Sequence, residues 1–326
     1  MKFTSTPVKP AKVEKFDFQA AFEGISASFD AVAESYDQLV AAEGMIAEIN
    51  EVYDNCRMAY KSIEKFGVSV ETMSLLNEGN SLDRALGLQD LALESIASLS
   101  EATKKALKHN YIAGLEAAED GMLKKMVEAV KQFFVKVWNW IKDLFTTNAK
   151  ITKVAQEIAK KGINELDPDK EVRAVPFKEI DAAIKLVSEA YEKVLQGGLS
   201  DSNAETTEIP ADMSGLRAEP KSIKELGWDA GKLKEACAKF ITFATNKEMK
   251  TAVDGFKKLE QSAKSNSEKG LVAEWKQDMA IAKRYNAWFR LYAKAVRVIG
   301  LSIIAVSKAE KKAEEKKEEK PAEEKK

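Results

Sequence analysis

A chain of 326 residues, 45% hydrophobic and 32% charged, carries enough apolar material for a folded core, which excludes disorder throughout. Its 51 Lys and Arg nearly balance 52 Asp and Glu, which excludes a protein that coats nucleic acid by bulk charge; weak or no direct nucleic-acid binding is expected. Two cysteines and one histidine exclude a disulfide scaffold and most metal or nucleophile constellations, so no catalytic residue, metal, cofactor or small-molecule substrate is expected.

Residues 1–14 read as a flexible arm, because Pro7 and Pro10 block helix, and this stretch lacks the apolar core of a secretory signal. Residues 15–66 read as an acidic, coiled-coil-like region: Phe16 to Cys56 holds nine carboxylates and no Lys or Arg. Phe18, Ile25, Val32, Leu39, Ile46, Tyr53 and Tyr60 recur every seven residues. Their companions lie four residues on in the first half (Phe22, Phe29, Tyr36) and three on in the second (Ile49, Cys56, Ile63). That shift predicts a long helix or hairpin whose seam resets near Gly44.

Residues 67–196 form a central helical region, loosened near Gly67, Gly79 and Asn80. A helix is predicted over about 82–108, and a second helical stretch leads into Met122–Phe145 and on to Lys161. Between Met122 and Phe145 the large apolar residues are spaced by threes and fours, with Trp140 at the edge of their face. Lys124, Lys125, Lys131, Lys136 and Lys142 oppose only Glu128 and Asp143 on the back. Such a helix either packs in a core or docks on an anionic membrane surface or a capsid partner. In the docking case the face is Phe133, Phe134, Val137, Trp138, Ile141, Leu144 and Phe145.

After Pro176 an amphipathic run passes through Ile180, Ile184, Val187 and Tyr191. Residues 197–220 are polar, hold two prolines and read as a linker before a C-terminal helical subdomain at 221–307. Within that subdomain Lys276 to Gly300 carries six basic residues against Asp278 alone. This stretch should attract the acidic amino-terminal helix, within one protomer or between two. The apolar run Ala295–Val306 is short and includes Arg297, so no transmembrane helix is predicted. Residues 308–326, almost only Lys, Glu and Ala, read as a disordered tail. No strand is predicted. The expected fold is all-α: an elongated helical bundle with long coiled-coil-like N-terminal helices, an arm and a charged tail.

Two tetrapeptides share the form Leu-x-Glu followed by a small residue: Leu76-Asn77-Glu78-Gly79 and Leu99-Ser100-Glu101-Ala102. The first lies in a Gly/Asn-rich connection that a protease can reach; the second lies in predicted helix and needs local opening. His109, in the polar setting KKALKHNY, reads as a surface histidine.

The stretch SVETMSLLNEGNSLDRALGLQDLALESI, followed by VEAVKQFFVKVWNWIKDLF, resembles the internal head proteins of large tailed bacteriophages over roughly residues 65–150. The resemblance implies a helical, propeptide-like amino-terminal region and cleavage after Glu by a prohead protease. It also implies packaging inside the head and, in some members, ejection with the genome. Glu78–Gly79 and Glu101–Ala102 are the positions that match the cleavage form. The expected function is therefore a non-enzymatic virion structural protein, made in the host cytoplasm and housed in the virion interior. Its partners would be other virion proteins, or a second copy engaged through helices 16–66. The alternative is a soluble helical scaffold or adaptor, or a membrane-surface-binding protein acting through 122–145.

Overall fold

The computed structural model describes residues 16–73, 96, 98–196 and 217–311. In chain order its elements are α1 (Phe18–Phe66), α2 (Glu101–Lys161), β1 (Glu171–Ala174), α3 (Glu179–Gln196), β2 (Glu219–Ser222), α4 (Ala230–Ala244), α5 (Lys247–Glu268) and α6 (Val272–Ser307). The fold is all-α, with a two-stranded antiparallel ribbon pairing Glu171 with Ser222 and Ala174 with Glu219. The expected arm lies outside the described residues.

Helix α1 is uninterrupted for 49 residues, so it is about 70 Å long at 1.5 Å per residue. Asp17 caps it by accepting from the Gln19 and Ala20 N–H groups at 3.0 and 3.1 Å. Gly67, at φ +74°, ends it by donating its N–H to the Ile63 carbonyl. The seam does not reset at Gly44. Ile25, Leu39, Ile46 and Tyr53 are buried together with Ser28, Ser35, Ala42, Cys56 and Ile63, in one unbroken heptad phase. Phe22, Phe29 and Tyr36 stay half-buried on its flank. The serine hydroxyls donate to the carbonyls of Gly24 (2.7 Å) and Ala31 (2.9 Å), so they enter the seam with their polar groups satisfied. Ser28, Ser35 and Ala42, not the phenylalanines, are the buried companions of Ile25 and Leu39 in this seam.

That neighbour is α2, 61 residues and about 90 Å long. Ser100 caps its start by accepting from Thr103 N–H, and Gly162 (φ +66°) closes it. The two helices form an antiparallel hairpin. Going up α1 and down α2, Lys150 Nζ donates to Gly24 O (3.0 Å), Lys136 Nζ to Gln38 (2.9 Å), Tyr53 Oη to Glu119 (2.9 Å) and Lys108 Nζ to Glu64 O (2.6 Å).

The other helices pack on the part of this hairpin nearer the α1 amino terminus. Helix α5 lies along α2, with Lys131 paired to Glu268 and the Trp138 indole donating to Glu260 at 2.6 Å. Helix α6 runs antiparallel to α1: Lys276 meets Asp54 at 2.7 Å, Arg290 meets Glu43 at 3.4 Å, and Lys308 Nζ stands 3.7 Å from the Phe22 ring centroid. The acidic and basic helices thus pair within one chain.

One hydrophobic core runs from Ile25 to Ala309 and includes α3 as well as α4, α5 and α6. Trp288 of α6 donates to Val187 O of α3 (3.1 Å), and Trp228 to Val175 O (2.9 Å). The predicted subdomain boundary at 197–220 therefore separates no independent core. Its described end, Glu219 and Pro220, lies in β2, which corrects the expectation of no strand. Four-residue strands are too short to show a periodicity, and their pairing partner is distant in sequence. Residues 308–311, expected in the tail, belong to the body, and the rest of that segment lies outside the described residues. Ala309 is buried, Lys311 bonds Glu165 at 2.5 Å, and Glu310 pairs with Lys161.

Candidate functional site

The predicted docking face is in the interior, which corrects the membrane and capsid-partner expectation for residues 122–145. Phe133, Phe134, Val137, Ile141 and Leu144 are all buried. The Phe134 ring packs on Phe256 of α5 at 5.4 Å, and Phe133 on Phe134 at 5.2 Å. Two residues of the set differ. Phe145 is 41% exposed, and Trp138 is half-buried, stacked edge-on to Phe256 with its N–H on Glu260. Trp140, predicted at the edge, is instead buried between Tyr36 and Phe289. Helix α2 is wrapped on two sides, by α1 and by α4, α5 and α6, so its apolar arc is broader than one docking face.

Of the candidate processing positions, Glu78 and Gly79 lie outside the described residues. Glu101 is the first residue of α2 and Ala102 the second; both are exposed, directly after the capping Ser100. The bond between them sits at the fraying end of a helix rather than within it, which lowers the local opening required.

Past the start of α6 the hairpin continues as a tip with a small core of its own. Cys56, Ala59 and Ile63 of α1 meet Tyr111 and Leu115 of α2, closed over by Val68, Met73 and Ile96. The turn after α1 is fastened by a reciprocal pair, Ser69 N–H to Thr72 Oγ1 (2.8 Å) and Thr72 N–H to Ser69 Oγ (3.2 Å). Thr72 Oγ1 also donates to Gly67 O at 2.9 Å. Around this fastened end stand three large apolar side chains in solvent: Met58 (61% exposed), Phe66 (67%) and Val70 (39%). Arg57, Lys61, Lys65 and Glu64 intersperse both signs of charge among them. Sequence periodicity marked Cys56 and Ile63 for the seam, yet gave no sign that the seam outruns the body.

Burial pushes the Cys56 thiol up to about 11, with Glu119 adding to the shift, and the Cys237 thiol up to about 12, so both stay protonated at neutral pH. His109 is exposed on α2. Among the described residues no group of three or more His, Cys, Asp or Glu is placed to hold a metal ion. No helix among them is long and apolar enough to cross a membrane. No family model matches the chain, and it has no match among curated proteins or solved structures.

Proposed function

We propose that this chain is a non-enzymatic structural protein of a phage virion interior, assembling with further copies of itself through the α1–α2 hairpin tip. The tip carries the reading. It is a braced end on two long helices, with its own core, and it holds Met58, Phe66 and Val70 in solvent beside mixed charges. A patch with both signs of charge suits self-complementary pairing about a two-fold axis. The charge attraction between α1 and α6 is already used within the protomer, so the tip is the better candidate for contact between protomers. The virion setting rests on the resemblance over residues 65–150 and on the exposed Glu101–Ala102 bond. A scaffold or adaptor outside any virion is the second reading, favoured by the same tip.

Light scattering coupled to size exclusion, across a range of chain concentrations, tests the assembly step. The native chain should self-associate, and Met58→Glu with Phe66→Glu should remain monomeric with an unchanged melting temperature. A native chain that is monomeric throughout overturns the assembly reading. Mass spectrometry of nuclease-treated particles tests the setting. The chain should be found inside, and an amino terminus at Gly79 or Ala102 would establish processing; its absence from particles leaves the scaffold reading.

A further inference from the structure

Between α1, α2 and α6 lies a groove of about 350 Å³, within the ~300–1,000 Å³ range of small-molecule sites. Its walls are Phe29, Val32 and Tyr36 of α1 and Trp140 and Leu144 of α2, a surface for an apolar chain. The α6 side supplies Arg290, Lys294 and Arg297, and no carboxylate lines the groove. Arg297 lies over the Phe29 ring at 4.4 Å, and Arg290 over Tyr36 at 4.6 Å. Among the described residues no carboxylate is within ion-pair distance of Lys294 or Arg297.

A second observation points the same way. Asn148, on the groove lining and only 5% exposed, has a buried side-chain N–H donor (Nδ2) without a hydrogen-bond partner. Arg290 also lines the groove; its Nη2 reaches Glu43, but its buried Nε–H has no acceptor. A buried donor left unmade costs about 1–3 kcal/mol, so a ligand acceptor that reached either atom from the groove would be favoured. A cationic rim without carboxylates over an apolar floor, with these two donors behind the wall, selects one ligand chemistry: an acceptor-rich, negatively charged head on a single apolar chain.

We propose that this groove binds a single-chain amphiphilic carboxylate, its head toward Asn148 and the α6 cations and its chain along Phe29, Tyr36 and Trp140. The ligand is held and not transformed, and the site is independent of the virion reading.

Isothermal titration of the full chain with decanoate, below its micelle concentration, tests the site. Decanoate should bind once per chain. Acetate, lacking the chain, and decanol, lacking the charge, should each bind at least about tenfold more weakly, the scale of one charge-assisted hydrogen bond or a few buried methylenes. Asn148→Leu and Arg297→Gln should each weaken decanoate by about tenfold. Ala33→Trp, which fills the mouth from an exposed position on α1, should abolish binding with the melting temperature unchanged. Absence of decanoate binding overturns the proposal, as does decanol binding equally well. Undiminished binding by folded Ala33→Trp chain would place the ligand elsewhere and overturn it too.

Discussion

Gly44 and Gly300 both sit inside long helices, where glycine ordinarily costs about 0.5–1 kcal/mol relative to alanine. Their surroundings are opposite. A Cβ at Gly44 would meet open space, whereas one at Gly300 would stand 2.3 Å from Ile151 Cγ2 and 3.2 Å from Phe240. Gly44→Ala should therefore stabilise the protein by about 0.5–1 kcal/mol, and Gly300→Ala should destabilise it by about 1–3 kcal/mol. Denaturant melts of the two variants check both signs. Sequence alone marked Gly44 as the special position, because an apolar companion is missing there. Gly300 drew no notice, because the close approach of α2 and α4 to α6 is visible only in three dimensions. The tryptophans make the same point: position on one helical face puts Trp138 within the apolar arc and Trp140 at its edge. Yet the indole N–H of Trp138 finds Glu260 at a half-open boundary while Trp140 goes to the core.

At the scale of the element, the amphipathic pattern of α2 is legible from sequence over Met122–Lys161, but its start is not: the helix expected over 82–108 is broken at residues 98–100, and α2 begins at Glu101. The pattern left core and docking surface undecided, since both need the same apolar arc. The packing of α1, α4, α5 and α6 around it decides for core. Ile141→Glu should accordingly cost about 3–5 kcal/mol, the price of an uncompensated buried charge, and abolish cooperative unfolding if that exceeds total stability. Phe145→Glu, at an exposed position of the same predicted face, should cost about 1 kcal/mol or less. Circular-dichroism melts separate the two; an unaffected Ile141→Glu variant would return the helix to the surface. Helix α1 is legible as helical from its freedom from proline and its seven-residue spacing, but not as a single helix through Gly44. Its phase is hidden in the sequence because the bulky Phe22, Phe29 and Tyr36 lie on the flank of the seam. Ser28, Ser35 and Ala42 occupy it instead, where two helices approach closely and the hydroxyls bond back to their own turn.

The whole molecule is held by one core across the stretch that composition marks as a linker. Ile25, Leu39, Ile46 and Tyr53 bury α1 against its neighbours, each worth about 1.5–3 kcal/mol relative to exposure. The ion pairs of Asp54 and Glu43 with α6 add orientation. Cleavage after Glu101 should thus leave α1 in place. With a selective protease site inserted between Glu101 and Ala102, fragments 1–101 and 102–326 should co-elute on native size exclusion and separate only in denaturant. Separation without denaturant would mean that the covalent connection, not the packing, keeps the hairpin closed.

The helical class, the helical nature of residues 16–66, the amphipathic character of α2 and the opposite charges of α1 and α6 are all legible in the chain itself, whereas the uninterrupted run of α1 through Gly44 is not. The legible features follow from local spacing and composition. Tertiary structure alone decided which faces are inside, that α3 shares a core with α4–α6, that β1 reaches across to β2, and that the hairpin tip and the cation-rimmed groove exist. Those features are made by residues far apart in the chain: Phe29, Asn148 and Arg297 come from three different helices. The periodicity of any one helix says which of its side chains are apolar; it carries no information about which neighbour they will meet.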